Sequence, residues 1–290
     1  MNPVHLETLL TIVDEGSFEV AAAVLGISPS AVSQRIKALE SKTGRVLLRR
    51  ASPVTATEAG EVLVQAARRM ALVQAETLAQ LGDSLTRVPL TIAINDDSLA
   101  TWFKPVIADI AKQRSAALRI RIEDEARSLA LLRRGDVLGA ITRESTPVAG
   151  CESTFVGTML YKAVATPDIA AAFHAGESTW ETMPLIGYGP NDQILDDAIR
   201  DRFVDPQSAR ARVSQIPSSE GYLDAVRVGL GWGLVSQAQA GGLIASGELA
   251  VLDEKPLRID LYWQRWQLES PMLGQLTEAV LRAAKTLAPR

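Results

Sequence analysis

Apolar residues over the first 60 positions recur at three- and four-residue spacing in three short blocks, as helices that each bury one face require. Leu6, Leu9, Leu10 and Val13 mark a first helix over residues 3–15, ended by Gly16. Ser17 is placed to cap a second, with Ala21, Ala22 and Leu25 as its inner face and Gly26 as its stop. Ser28 and Pro29 open a third, since proline at a first helical position loses no hydrogen bond. Its inner face is Val32, Ile36 and Leu39, leaving Ser30, Ser33, Gln34 and Lys37 outward. Two short helices across a glycine turn, with small Ala22 at their crossing, form a helix-turn-helix pattern, whose second helix enters the major groove of DNA. A plain αα-hairpin is the alternative. Beyond Glu40, Gly44 and Pro53 punctuate two short apolar pieces, which suits a β-wing with Arg49 and Arg50 at its base.

From Glu58 to Leu85 there is no proline and, beyond Gly60 in the first turn, one late glycine (Gly82), and Val62, Ala66, Arg69, Val73, Leu78 and Leu81 alternate with polar positions. This predicts a helix roughly 35–40 Å long. A helix of that length with an apolar stripe seeks a partner helix, so a homodimer or homotetramer is expected; a surface helix on the next domain is the alternative. From Val88 the pattern becomes alternately strand and helix. PLTIAIN, LRIRIED and VLGAIT read as strands, with helices over 98–112 and through ARSLALLRRGD. A second unit runs from about residue 161 to 260: a strand near 162–165, PLIGYG, a helix over 195–203, RVSQIP, a helix over 218–227, and GWGLVSQ. The chain returns through IDLYWQR and closes with a helix over 272–287. Such alternation predicts parallel sheets flanked by helices, in two α/β lobes crossed twice by the chain and suited to clamping a ligand. The expected domains are 1–60, a linker helix over 58–87, and 88–290. Within the last, lobe I covers about 88–160 plus 266–290 and lobe II about 161–265.

The net charge of −4 hides a local asymmetry: between Ser28 and Arg50 stand six basic residues (Arg35, Lys37, Lys42, Arg45, Arg49 and Arg50) against Glu40. That is a footprint for phosphate contact by the third helix and wing. No apolar run reaches the roughly 18 residues of a membrane span, and the N-terminus lacks a signal peptide's basic flank and cleavage site, so a cytoplasmic protein is expected. Cys151 has no second cysteine to bridge. With only His5 and His174, and without a GxSxG elbow, a Walker loop or metal-ligand spacing, an enzyme is not expected, nor any cofactor. GLGWG (229–233) is read as a closely packed helix-to-strand turn.

Residues 3–60 resemble the winged helix-turn-helix of the LysR-type transcriptional regulators. The resemblance rests on Phe18, Ala21, Ala22, Leu25, Ser28, the AVS of 31–33, Ile36, Leu39, Glu40, Gly44, Leu47, Arg50 and the TEAG of 57–60. It implies double-stranded promoter DNA and RNA polymerase as partners. Pro29 stands where much of the family has a base-contacting glutamine, and the wing is one residue short before Pro53. Base readout is therefore expected from Ser30, Ser33, Gln34 and Arg50, beside Lys37 and Arg49. The family's effector domain has two lobes resembling periplasmic binding proteins, so the resemblance covers the whole chain. The expected fold is such an α/β domain behind an all-α winged helix-turn-helix and a long linker helix.

In open parallel sheets, ligands bind beyond the carboxyl ends of strands, where helix N-termini offer free N–H groups. Two corners qualify: NDDSLATWF (95–103), with Ser98, and PSSEGY (217–222), with Ser218 and Ser219. Serine there is by default only a cap. Acids at strand ends (Asp96, Asp97, Glu123, Asp124 and Glu125) favour a cationic ligand, because a charge in a cleft needs a partner. Alternation points Glu123 outward and leaves Asp124 as the preferred partner. NDDSLATWF, EDEARSLALLRRGDVLGAI and LYWQRW resemble the branch that activates lysine and arginine exporter genes. That resemblance implies lysine, arginine or histidine as co-inducer, and the strand ends and helix starts are expected to hold its backbone groups near Ser98, Thr142 and Ser219 and its side-chain cation at Asp124. A repressor, or a ligand-independent DNA-bending or replication-control protein of the same fold, is the alternative.

Overall fold

The computed structural model describes residues 2–81, 88–113, 116–202, 209–210 and 212–290. The expected continuation of the long helix to residue 85 and the expected helix end at Phe203 lie outside them. At the N-terminus, α1 (Pro3–Glu15), α2 (Phe18–Leu25) and α3 (Pro29–Thr43) are each opened by a polar cap and closed by a glycine. Asn2, Ser17 and Ser28 accept from the amides of Val4, Val20 and Ala31 at 3.0, 3.3 and 3.2 Å. Gly26 turns the chain between α2 and α3 at φ 64°, a conformation that costs a residue with a Cβ. Leu6, Leu9, Ile12, Ala21, Ala22, Val32, Ile36 and Leu39 form the buried centre. Ile12 is fully buried, whereas Leu10 and Val13 pack at its margin. The wing is a two-stranded antiparallel ribbon, β1 (Leu48–Arg49) and β2 (Thr55–Ala56). Glu40 anchors its approach by accepting from the Leu47 amide at 2.9 Å.

The linker helix α4 (Glu58–Gln80) has 23 residues and is thus about 35 Å long. Its Val64 and Ala67 join the winged-helix core, and Leu72 joins the core of the following domain. Glu76 accepts from the Ser270 hydroxyl at 2.5 Å and the Met272 amide at 3.1 Å, so a carboxylate of α4 holds the start of α12 (Pro271–Ala283).

Three parallel strands follow: β3 (Val88–Ile94) lies between β4 (Ala116–Ile122) and β5 (Gly139–Thr142). The sheet continues antiparallel through β11 (Leu257–Trp266) to β6 (Cys151–Ala165), which also pairs β9 (Gly233–Ser236) and β10 (Ala250–Val251). The expected parallel sheets are therefore joined into one mixed sheet of seven strands among the described residues. The cause is the length of β6 and β11: each runs from one lobe into the other, in opposite directions. Lobe II adds the parallel pair β7 (Leu185–Gly187) and β8 (Val213–Gln215). Around it lie α8 (Pro167–His174), α9 (Gln193–Arg202), α10 (Ser219–Arg227) and α11 (Gln237–Ala245). At Gly231 a Cβ would come within 2.6 Å of the Pro184 carbonyl oxygen, so GLGWG is a close backbone crossing, as read.

The single helix expected over 98–112 is two: α5 (Asp96–Ala100) and α6 (Lys104–Ala111). Pro105 has no N–H for the carbonyl four residues before it, and the break at Thr101 turns Trp102 and Phe103 into the core. Between β4 and β5 lies α7 (Glu125–Arg134), ended by Gly135 at φ 73°. Among the described residues no helix is long and apolar enough to cross a membrane.

Candidate functional site

Two faces concentrate chemistry. On the N-terminal domain, Ser30, Gln34, Lys37, Arg49 and Arg50 are exposed and Ser33 is half-buried, while Val32, Ile36 and Leu39 hold α3 from behind. Ser30 Oγ lies 2.9 Å from Ser28 Oγ at the head of the helix. The Arg50 guanidinium sits over the Phe18 ring, 5.5 Å from its centroid, which fixes the wing's base against α2. Arg35, counted in the basic footprint, turns instead towards α1 and donates to Thr8 Oγ1 at 3.2 Å.

The second face is a cavity of about 340 Å³ between the lobes. Its walls come from the end of β3 and start of α5 (Asn95, Asp96, Asp97), the end of β4 and start of α7 (Ile122, Glu123, Asp124, Arg127), Tyr161 of β6, the loop 188–192 with the start of α9 (Gln193, Ile194, Leu195), and Pro217, Tyr222 and Leu234. Five carboxyl side chains (Asp96, Asp97, Glu123, Asp124 and Asp192) face one guanidinium, that of Arg127, among the described lining residues. Such a wall favours a cation and disfavours an uncompensated anion.

Not all five are equally free. Asp192 accepts from the amides of Tyr188 (2.8 Å) and Leu195 (2.9 Å), which folds the 188–192 loop and caps α9. Asp96 Oδ2 accepts from the Ser219 amide at 2.7 Å and the Tyr188 hydroxyl at 3.3 Å. Asp97 accepts from the Ser219 hydroxyl at 2.7 Å and the Tyr161 hydroxyl at 2.9 Å. Burial pushes the Asp97 carboxyl up despite these donors, and neighbouring Asp96 and Asp192 add to the effect. Burial, and then Asp96, raise the Tyr188 hydroxyl to about 12, which keeps it a neutral donor. These bonds tie α5 of lobe I to α10 and β7 of lobe II. Arg143 and Asp197 add an ion pair of 2.6 Å across the same seam.

Of the residues expected to hold a ligand, Asp124 lines the cavity. Its Oδ1 accepts from the Arg127 amide at 2.8 Å, so it also caps α7. Ser98 is instead fully buried, its hydroxyl directed at Met159 Sδ at 3.4 Å, because the third residue of the short α5 faces the core. Thr142 is likewise buried and donates to the Glu144 carbonyl at 3.1 Å, beside the buried Gln264. Ser219 stands behind the wall with its amide and hydroxyl given to Asp96 and Asp97, so a ligand carboxylate there would meet two others. Glu123, read as outward, faces the cavity because β4 ends at Ile122 and alternation ends with it. Asp96, counted among the strand-end acids, lines the cavity, and Tyr188, Asp192 and Arg127 are lining residues that the sequence reading does not name. The one local signal for the loop is the turn-rich string YGPND directly after a strand.

Helix α7 connects the two faces. Its first turn lines the cavity, and its last turn meets α4, where Gln65 Nε2 donates to the Arg133 carbonyl. Arg68 donates to Asp136 Oδ1 just beyond α7 (2.7 Å) and to Asp14 Oδ1 of α1 (2.6 Å), joining effector domain, linker and winged helix at one guanidinium.

Comparison with known proteins agrees along the whole chain. The model of bacterial regulatory helix-turn-helix proteins of the lysR family matches residues 3–61, and the LysR substrate binding domain matches 84–285. The chain is 57% identical over 286 residues to the lysine export transcriptional regulatory protein LysG of Corynebacterium efficiens, with 98% of each covered. It is similar to the structure of full-length LysG of Corynebacterium glutamicum with bound effector arginine, at a TM-score of 0.84 and 55% identity, covering all of both chains. ArgP of Mycobacterium tuberculosis gives a TM-score of 0.84 at 37% identity over 98% of each chain. With a DNA-reading winged helix at one end and a two-lobed ligand cleft at the other, the chain belongs to the LysR family of bacterial helix-turn-helix regulators, which are transcription factors and not enzymes.

Proposed function

We propose that this regulator senses a basic amino acid in the interlobe cleft and activates a gene for basic amino acid export, acting in the cytoplasm on promoter DNA and RNA polymerase. The observation that carries the reading is the wall of five carboxyl side chains against one guanidinium. A ligand with an ammonium or guanidinium side chain matches that charge, and a neutral amino acid does not. Two relatives support it: one is named as a lysine export regulator, and the other holds arginine as its effector. The candidate contacts are Asp124 and Glu123 for the side-chain cation and Asp96 for the α-ammonium, with the Asn191 and Gln193 amides as donors to the carboxylate. Ser98, Thr142 and Ser219 then act through the packing of the lobes. The working division is a winged helix-turn-helix over 1–60, a linker over 58–87, and an effector domain over 88–290. Its lobe I takes about 88–160 and 266–290, its lobe II about 161–265.

Thermal shift across the twenty amino acids, followed by calorimetry on the responders, tests the reading. Lysine, arginine or histidine should stabilise the protein and leucine should not, and Asp124→Ala should weaken lysine binding at least about tenfold, as expected for losing a charged partner. An Asp124→Ala variant that binds lysine as well as wild type removes that assignment. DNA protection that is the same with and without a basic amino acid would support ligand-independent DNA bending instead.

A further inference from the structure

The one guanidinium among the described lining residues of the cleft occupies a particular place. Arg127 lies in the first turn of α7, with its Nε 3.8 Å from Asp124 Oδ2 and its Nη1 3.9 Å from Glu123 Oε2. Both separations exceed hydrogen-bond length. Elsewhere in this chain arginines that serve as structural ties sit much closer to their acids: Arg68 to Asp14, Arg143 to Asp197 and Arg265 to Glu152 are each at 2.6 Å. The Arg127 side chain is also 64% exposed, against 30% for Glu123 and 26% for Asp124, so it covers the two carboxylates from the solvent side without being enclosed by them.

Atom by atom, the division of work is clear. Asp124 Oδ1 is committed to the Arg127 backbone amide as the helix cap, which leaves Oδ2 as the oxygen available to a ligand. That oxygen and Glu123 Oε2 are the two that the Arg127 guanidinium faces.

We propose that Arg127 is a tethered competitor of the effector: in the empty cleft its guanidinium stands in for the effector's side-chain cation between Glu123 and Asp124, and the incoming cation displaces it. The inference rests on the reading of the cleft as a basic amino acid site. Two consequences follow from the physics. The adjacent carboxylates do not face each other uncompensated when the cleft is empty, and each binding event must first break the internal pair, which raises the effector concentration at which the regulator responds. A ligand without a side-chain cation has nothing to exchange for the guanidinium. Arg127 thereby contributes to specificity without contacting the ligand.

The experiment is calorimetric titration of the full-length protein with lysine, arginine and leucine, in wild type, Arg127→Gln and Arg127→Lys. Because the cap uses the Arg127 backbone and not its side chain, both variants keep α7, which a ligand-free melting curve verifies. Arg127→Gln should bind lysine and arginine about two- to fivefold more tightly, the scale on which an exposed ion pair contributes. Its affinity should also fall more steeply with salt, since the effector then meets unshielded carboxylates. Arg127→Lys should stay near wild type, and leucine should bind none of the three. Unchanged affinity in Arg127→Gln overturns the proposal. So does weaker affinity, which would make Arg127 a partner of the effector's carboxylate. If wild type itself binds no basic amino acid, the reading of the cleft fails and the competitor with it, a result distinct from tight wild-type binding that the substitution leaves unmoved.

Discussion

Asp97 illustrates how one residue can serve a seam and still oppose it. Its carboxyl receives the Ser219 and Tyr161 hydroxyls, yet burial raises its pKa above the ordinary carboxylate value of 3.8. A raised carboxyl pKa means that the folded protein favours the protonated form. The stabilising contribution is complete below the unfolded pKa and is lost as pH rises through the folded one, so ionised Asp97 is a cost at neutral pH. Asp97→Asn removes the titration and keeps one acceptor oxygen, while its amide NH2 donates to the other hydroxyl, which turns to accept. Measured by urea unfolding, the stability of Asp97→Asn relative to wild type should therefore improve as pH rises from about 4 to 8. A difference that is flat with pH would show that Asp97 is ionised without penalty. None of this is visible in the string NDDSLATWF, where Asp96 and Asp97 are indistinguishable neighbours. Their separate partners come from residues 64 to 123 positions away.

At the scale of elements, α7 shows where local rules suffice and where they end. Its existence was legible in ARSLALLRRGD, whereas the Asp124 cap and the Gly135 stop that set its limits come from the structure. Its docking was not legible, because Arg68 meets Asp14 and Asp136 only once three separate segments converge. The Arg68 side chain is 19% exposed and Asp136 14%, so this tie is screened less than a surface pair. Arg68→Met should cost about 1 kcal/mol, because Asp14 is 42% exposed and Asp136 keeps its pair with Arg134 at 2.8 Å. It should also separate the unfolding of the winged helix from that of the effector domain. Two transitions by near- and far-UV circular dichroism would show this, whereas one unchanged transition would mean that α4 holds the domains without the clamp. The helix expected over 98–112 is the opposite case. A continuous apolar pattern concealed its break, and Pro105 was the local signal that it starts anew.

At the scale of the molecule, α4 carries an unused face. Its inner positions serve this chain, Val64 and Ala67 towards the winged helix and Leu72 towards the effector domain, while Val62, Met70 and Val73, with Leu81 just past its end, are exposed on another face. An apolar stripe on a 35 Å helix fits a second copy, which would set two α3 helices one DNA turn or a multiple apart. Val73→Glu should accordingly shift sedimentation equilibrium towards monomer and weaken operator binding at least about tenfold, with α3 untouched. A variant that remains dimeric would place the interface elsewhere. What the sequence alone determined is the type and order of most elements, the helix-turn-helix with its basic flank, and the family; α8, α11, the first part of β6 and the break between α5 and α6 were not read from it. Caps, glycine stops and periodicity act within a few residues, so they survive in a linear string. The cleft was decided only by the tertiary structure. Among the described residues its wall is assembled from six separate stretches of chain, and whether an acid there faces the cavity, a neighbouring hydroxyl or a helix end depends on packing between lobes. Hence Asp124 could be singled out from its strand end, while Ser98 turned inward to Met159 and Glu123 turned into the cleft.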